Sequence, residues 1–412
     1  MIVTNIEIVR QLYISFKIDK IILFIFLVHF VISFYFNCSS QSESEGSTPF
    51  VFLLIPFPLL CLYVIRIFAL LRYVSLDKIS KGFLALFFYG LTSYLLYMAF
   101  SANSLKYNAF MSGMYYPISY IYISLSFKAN PTLVNKLVDF SPWLLAIMSA
   151  IFLYFVPRSI ALNGVFASLN TAYFVLLLYP LTMLNEKKWI KVFSTLLMLV
   201  VVFLSMKRGG IIAAILGFVG YYFLNLIIQR KRIFKNVIQL LIICFAISYI
   251  IVQVNEYANG RILERFEKTS NSGGEEARND VYENVITHFS QSSLGEQLLG
   301  HGPDTSRLIS RENLTAHNDF LEYLYNFGII GLMLLLHIHL CFCSFAYKAV
   351  RFKKVWAFSA VYSYICIFIL SMVSHILIYN YFLAVVLLWA TLTSNLYRNE
   401  NVGRCISLND KT

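Results

Sequence analysis

The stretch Ile190–Ile228, "IKVFSTLLMLVVVFLSMKRGGIIAAILGFVGYYFLNLII", sets two adjacent cations between two long apolar runs. Each run is close to the length of about twenty apolar residues that a helix needs to cross a bilayer. The stretch therefore predicts two membrane-spanning helices joined by a very short turn at Lys207 and Arg208. Because charge near the hydrocarbon core is costly, cations at such a turn need an anionic partner or access to the membrane surface.

The whole chain is far more apolar than a soluble protein. Its 412 residues are 59% hydrophobic and 13% charged, whereas soluble domains are roughly a quarter charged. We therefore expect an all-α integral membrane protein that forms a single polytopic domain over residues 1–412. The formal net charge of +12 comes mainly from short segments beside apolar runs, as in orientation signals, so nucleic acid is not an expected partner. The seven cysteines contain no CxxC pair, which predicts neither a disulfide framework nor a thiolate metal site.

The apolar runs predict about twelve spans, of which the first is interpreted as a retained helix rather than a signal peptide. Basic connections alternate with connections that hold few cations, so the positive-inside rule predicts that both termini are cytoplasmic. Arg66 lies near the inner end of its span, and we expect its guanidinium to extend to the interface. The predicted spans are 20–36, 49–71, 83–101, 109–127, 141–157, 162–184, 190–206, 210–228, 236–253, 326–346, 355–373 and 377–395.

Two segments depart from this alternation of charge. Lys207 and Arg208 fall at the outer surface, where few cations are expected. Residues 254–316 also fall outside and form one long periplasmic loop of mixed charge, which we predict to be a small subdomain inserted in the membrane domain. Within it, the sequence "ARNDVYENVITHF" at 277–289 has apolar residues at helical spacing and therefore predicts a helix that carries Arg278.

The segment Asn313–Leu336, "NLTAHNDFLEYLYNFGIIGLMLLL", leads from this loop into an apolar run. Thr315 is expected to cap a helix whose first turn contains His317 and Asn318. Gly328, further along, is expected to let a neighbouring helix approach closely. Because the unpaired N–H groups at a helix N-terminus attract anions, this end of the helix is a candidate for binding a charged ligand.

The outer face thus gathers four candidate anion ligands, namely Lys207, Arg208, Arg278 and His317. The planar fork of arginine matches phosphate oxygens, and two such groups can stabilise a departing pyrophosphate without a metal. No paired-carboxylate or DxD-like run that would hold Mg²⁺ is present in the sequence, so no metal or other cofactor is expected. A histidine, with an ordinary pKa of about 6.5, is suited to accept a proton from a hydroxyl, and His317 is the best-anchored candidate.

Simpler interpretations of the same residues stay open. Lys207 and Arg208 are also what is expected of anchors to phospholipid headgroups. Arg278 fits an exposed ion pair of little energetic weight. His317 fits a histidine that caps a helix, and His301 fits an ordinary turn residue.

The order of the motifs distinguishes between these interpretations. The basic-glycine turn is followed by Arg278, which lies four residues before the aromatic Tyr282. Next come a GxG turn at Gly300 and Gly302 and the sequence "HNDFLEYLYNFGIIG" at 317–331. This order resembles the O-antigen polymerase and O-antigen ligase superfamily, most strongly over about residues 200–335. The chain departs from the family pattern in having Lys207 where serine is common and Tyr282 where tryptophan is common.

The resemblance implies a C-type glycosyltransferase-like fold and metal-independent transfer of undecaprenyl-pyrophosphate-linked oligosaccharide at the outer face of the bacterial cell inner membrane. It implies catalytic roles for Arg208, Arg278 and His317. The substrate-binding candidates beside them are Lys207, Arg265, Asn318 and Tyr282. Besides the lipid bilayer, a chain-length regulator and a flippase are the expected partners.

The reaction expected from this resemblance is polymerisation of O-antigen repeat units, since frequent Ile, Phe, Tyr and Asn are typical of variable polysaccharide loci. A ligase that transfers the glycan to lipid A–core is the nearest alternative, and the motifs do not separate the two. A flippase for lipid-linked oligosaccharide is the alternative from another class. Transporters, however, tend to place charges near the bilayer midplane and to carry paired repeats.

Overall fold

The computed structural model describes residues 2–42, 54–100, 110–163, 170–228, 276–303, 305–309, 316–377 and 380–394, with single residues between 237 and 256. Every regular element in these ranges is helical. The helices are α1 (Ile2–Ser42), α2 (Pro56–Leu70), α3 (Lys78–Phe100), α4 (Tyr116–Ala129, after a π-turn at Met111–Tyr115), α5 (Pro131–Asn163), α6 (Ala172–Thr182), α7 (Lys188–Leu204), α8 (Arg208–Ile228), α9 (Glu276–Gln291), α10 (Leu294–Leu299), α11 (Asp319–Arg351), α12 (Ala357–Val373) and α13 (Phe382–Ser394).

Several of these helices are long and apolar enough to cross a membrane, so the chain is a multi-pass membrane protein. The five candidate spans are Lys17–Ser39, Lys78–Tyr97, Pro131–Pro157, Arg208–Ile228 and Asp319–Arg351. Helices α2, α6, α12 and α13 are apolar but shorter. The predicted total of twelve spans stays a prediction, because part of the chain, including most of 236–253, lies outside the described residues.

The centre of the bundle is formed by helices that are apolar on all sides. Every residue of α6 and of α13 is buried, and so are nearly all residues of α4. Aromatic rings fill the space between these helices and their neighbours; those of Phe342 and Trp389, for example, lie 4.1 Å apart between centroids. A helix without a polar face can only be stable inside the protein or in lipid, which accounts for the central position of these elements.

A buried ion pair links α1 to α2. The guanidinium of Arg66 donates to both carboxylate oxygens of Asp19 at 2.9–3.1 Å, and the Tyr122 hydroxyl donates to the same carboxylate at 2.9 Å. The sequence analysis did not predict this partner of Arg66, which immediately precedes the first predicted span. Removing one member of such a pair typically costs about 3–5 kcal/mol, since the other charge is left buried.

The described part of residues 254–316 forms a small second core against the beginning of α11. Val281 and Val285 of α9 pack there with Ala316 and Tyr325. The helix predicted over 277–289 is thereby confirmed as α9, and its apolar spacing is explained by this contact.

Candidate functional site

The two central cations lie at the turn between α7 and α8. Helix α7 ends at Leu204, Met206 adopts the left-handed region with φ of 52°, and α8 begins at Arg208. The hydroxyl of Ser205 accepts a hydrogen bond from the backbone N–H of Lys207 at 3.3 Å. The prediction of two helices joined at this pair is confirmed, and both cationic residues are partly buried at the N-terminus of α8.

Close packing of glycines fixes this end of α8. A Cβ atom added to Gly209 would lie 3.0 Å from Cγ2 of Val373 and 3.2 Å from the hydroxyl of Tyr173. A Cβ atom on Gly210 would lie 3.2 Å from the ring of Tyr173. The N-terminus of α8 is therefore pressed against α6 and against the last residue of α12.

His317 does not lie in the first turn of a helix, as the sequence suggested. It precedes α11, with φ of 49°, and Asn318 is the N-cap residue. Thr315, the expected cap, lies outside the described residues. The difference arises because the Asn318 side chain accepts hydrogen bonds from N–H groups in the first turn of α11, so the helix begins three residues later than predicted.

Three buried or partly buried groups hold the turn around His317. Glu322 accepts the N–H of Ala316 at 2.6 Å, and Nε2 of His375 accepts the N–H of His317 at 3.0 Å. The side-chain oxygen of Asn318 accepts from the N–H groups of the first turn of α11 at 2.9 and 3.2 Å. Successive backbone N–H groups are thus bound by different partners. These hydrogen bonds hold the stretch of backbone from which the imidazole of His317 extends.

His375 is a site residue that the sequence analysis did not single out. Its ring lies against that of His317, with centroids 4.8 Å apart. Asp319, which is fully buried, accepts the N–H groups of Ile376 and Leu377 at 3.0 and 3.3 Å and so fixes the chain after His375. The available signal was position, since His375 falls between two predicted spans, where a polar residue can face the outer surface.

The structure brings the arginine turn and the histidine turn to the same end of α12. Val373, its last residue, lies against Gly209, and His375, two residues later, lies against His317. Two residues of extended chain span roughly 7 Å. Gly209, next to Arg208, and His317 therefore both contact the short segment Val373–His375.

The remaining predicted residues have different outcomes. Arg278 lies in α9, although its side chain is outside the described residues, and Arg265 is outside them altogether. Tyr282 is partly buried and packs on the small core of the loop. Because α9 packs on α11, Arg278 is carried by an element attached to the helix that follows His317.

The GxG turn is hydrogen-bonded to the backbone of α11. The N–H groups of His301 and Gly302 donate to the carbonyls of Tyr325 and Asn326, each at 3.0 Å. Those carbonyls are available because α11 is broken at Gly328, where φ is 66°. The expectation that Gly328 lets a neighbouring helix approach is confirmed: a Cβ there would lie 2.3 Å from the carbonyl oxygen of Leu298, near the end of α10.

Glu322 is a second residue that the sequence interpretation missed. It is buried and accepts hydrogen bonds from the hydroxyl of Ser306 and from the amide of Asn326, in addition to the N–H of Ala316. It thus ties the loop after the GxG turn and the turn at His317 to one helix. Among the described residues, no three His, Cys, Asp or Glu side chains are grouped as a metal site would require.

A comparison with protein families supports a relationship for the central part of the chain. The model described as O-antigen ligase matches residues 193–336, roughly a third of the sequence. The matched segment begins in α7, includes both turns and ends beyond the break in α11. No curated protein matches the chain. The resemblance inferred from the order of the motifs is thereby confirmed.

Proposed function

We propose, from the match of residues 193–336 to the family model described as O-antigen ligase, that this membrane protein transfers a lipid-linked glycan in O-antigen assembly. More specifically, it transfers the growing polysaccharide from undecaprenyl pyrophosphate to the sugar of the next lipid-linked repeat unit. The reaction takes place at the periplasmic face of the cell inner membrane, with both termini in the cytoplasm. The observation that carries the proposal is the contact of the two turns, through Gly209 and His317, with one end of α12.

The donor pyrophosphate binds at the N-terminus of α8 in this proposal. Arg208 supplies a planar guanidinium beside the positive end of a helix dipole, and both features favour phosphate oxygens. Lys207 adds a second positive charge, and Arg278 on α9 is brought in from the loop. As the glycosyl bond breaks, negative charge accumulates on the departing pyrophosphate, and these fixed cations stabilise it.

His317 is the general base for the acceptor. Its neutral imidazole accepts the proton of the acceptor hydroxyl while that oxygen attacks the anomeric carbon, and the bond to the pyrophosphate oxygen breaks. The three hydrogen-bonded anchors around residues 316–318 support this role, because general-base catalysis depends on holding the base at a fixed position. We propose that the glycan or its carrier contacts three further residues, Asn318, Tyr282 and Arg265.

Variants of the two turns test the proposed mechanism. Arg208→Ala and His317→Ala should each lower glycan transfer by roughly 100-fold or more, which is the usual loss for a charge stabiliser or a general base. Arg72→Ala and His288→Ala, which change exposed residues of the same types, are the matched controls and should keep wild-type ladders. Normal ladders of long chains from either turn variant, with equal protein in the membrane, would contradict the assignment.

A ligase is the second candidate, because the matching family model is itself described as O-antigen ligase. A deletion strain separates the two activities. Lipopolysaccharide that carries a single repeat unit indicates a lost polymerase. Unmodified core together with accumulated lipid-linked polymer indicates a lost ligase.

Reconstitution separates both enzymes from a flippase. The purified protein in proteoliposomes should lengthen lipid-linked glycan without moving it between leaflets. Transport of lipid-linked oligosaccharide without formation of a new glycosidic bond would contradict the proposal.

A further inference from the structure

We propose that His375 is a positioning residue that holds the proposed base, His317, in its reactive orientation. This inference rests on the proposed function and adds a residue to it. His375 lies beyond the segment that matches the family model, which ends at residue 336. Its role is therefore argued only from the contacts that it makes.

The hydrogen bond between the two residues defines the state of the His375 ring. Because Nε2 accepts the backbone N–H of His317 at 3.0 Å, this nitrogen carries no proton. A neutral imidazole then carries its proton on Nδ1. That atom lies 4.0 Å from the carboxylate of Asp319, beyond hydrogen-bonding distance but close enough for the negative charge to favour this tautomer.

The same carboxylate fixes the backbone that carries His375. One oxygen of Asp319 accepts the N–H groups of Ile376 and Leu377, directly after the histidine. All of these groups are buried apart from His317, which is partly exposed. Asp319 thus holds the chain after His375, and His375 holds the backbone of His317. His317 in turn is the residue proposed to contact the acceptor.

His317 needs this support because its backbone conformation is unfavourable. A φ of 49° lies in the left-handed region, which residues other than glycine rarely adopt unless the surroundings enforce it. Without an acceptor at position 375 the N–H of His317 loses its partner, and the turn can relax. The imidazole would then start from a different place, although its chemistry would be unchanged.

Three substitutions at position 375 test the inference: two amides of different length and one residue that cannot accept a hydrogen bond. Glutamine places an amide oxygen near the position of Nε2, whereas asparagine is too short and leucine has no acceptor. In proteoliposomes with lipid-linked repeat units, His375→Leu and His375→Asn should lower kcat by roughly 10- to 100-fold with KM nearly unchanged. His375→Gln should stay within about threefold of wild type, because it restores the acceptor without restoring a base. His339→Leu, a buried histidine that packs on Phe320, is the matched control and should keep wild-type kcat.

A double variant separates positioning from general support of the fold. In the His317→Ala background, His375→Leu should cause no additional loss, because it acts only through the missing imidazole. A His375→Gln protein as inactive as the leucine variant would overturn the inference, and so would a further loss in the double variant. If His317→Ala itself transfers glycan at the wild-type rate, the proposed function has failed. If only the variants of His375 behave like wild type, the proposed function stands and this inference has failed.

Discussion

The turn at Met206–Arg208 and the turn at Ala316–Asn318 solve the same structural problem by different means. Each contains a residue other than glycine in the left-handed region, Met206 with φ of 52° and His317 with φ of 49°. Each leads directly into a long helix of the bundle, α8 or α11. The described contacts of the arginine turn are one hydrogen bond to a serine hydroxyl and the close packing of two glycines against Tyr173 and Val373. Those of the histidine turn are hydrogen bonds to the side chains of Glu322 and His375.

The difference follows from what the two side chains are proposed to do. A guanidinium on a long flexible chain can reach an anion from a backbone whose position is only approximately fixed. An imidazole that takes a proton must lie within hydrogen-bonding distance of one hydroxyl, so its backbone has to be held more tightly. We therefore expect the histidine turn to be sensitive to loss of the polar side chains that bind it and the arginine turn to be sensitive to changes in packing.

The largest effect is expected at Glu322. Glu322→Ala leaves the hydroxyl of Ser306, the N–H of Ala316 and the amide of Asn326 without their buried acceptor. The expected cost is about 3 kcal/mol in the free energy of unfolding, with loss of most glycan transfer. Thermal unfolding in detergent and activity in proteoliposomes measure the two effects.

A matched variant separates the charge of Glu322 from its hydrogen bonds. Glu322→Gln keeps one acceptor oxygen, so it should lie between wild type and alanine in both measurements. If alanine is tolerated at position 322 without loss of stability or activity, the histidine turn does not depend on its side-chain hydrogen bonds, and the contrast between the two turns disappears.

A moderate effect is expected from packing at the arginine turn. A Cβ on Gly209 would meet Val373 at 3.0 Å, which is closer than side chains normally approach. Gly209→Ala should therefore shift the N-terminus of α8 and lower activity roughly 5- to 20-fold, corresponding to ~1–2 kcal/mol. Val373→Ala removes the opposing methyl groups and should restore part of the activity in the double variant. Gly295→Ala, where an added Cβ meets nothing within 4 Å, is the control and should leave the activity unchanged. No recovery in the double variant would show that close packing does not position this turn.

Much of the fold follows from the sequence, because the forces that determine it are local in the chain. Long apolar runs predict helices, and the cations at Lys207 and Arg208 mark the turn between two of them. The break in α11 at Gly328 is not evident in the same way. Its cause is the backbone of residues 298–302, from the last residues of α10 to the GxG turn, which packs against it. A glycine in an apolar helix predicts close packing, but it does not predict a break in the helix.

The supporting residues of the candidate site were missed for a related reason. Periodicity shows which face of a helix is apolar, but it does not show which polar groups meet across the fold. His375 lies 58 residues from His317 along the chain. The functional groups could be proposed because their chemistry is unusual for their location, whereas Glu322 and His375 became recognisable only through their hydrogen bonds.

The smallest effect is expected at Lys207, and it separates two interpretations of the arginine turn. Lysine carries a compact charge on a flexible chain and binds phosphate less selectively than arginine. If it assists Arg208 with the donor pyrophosphate, Lys207→Ala should raise KM for the lipid-linked donor about three- to tenfold with kcat nearly unchanged. Lys207→Arg should retain the wild-type KM. If Lys207 instead anchors the helices to phospholipid headgroups, KM should not change in either variant, and the alanine variant should be less stable in membranes rich in anionic lipid. A raised KM that returns with arginine would therefore assign both cations of the turn to the donor.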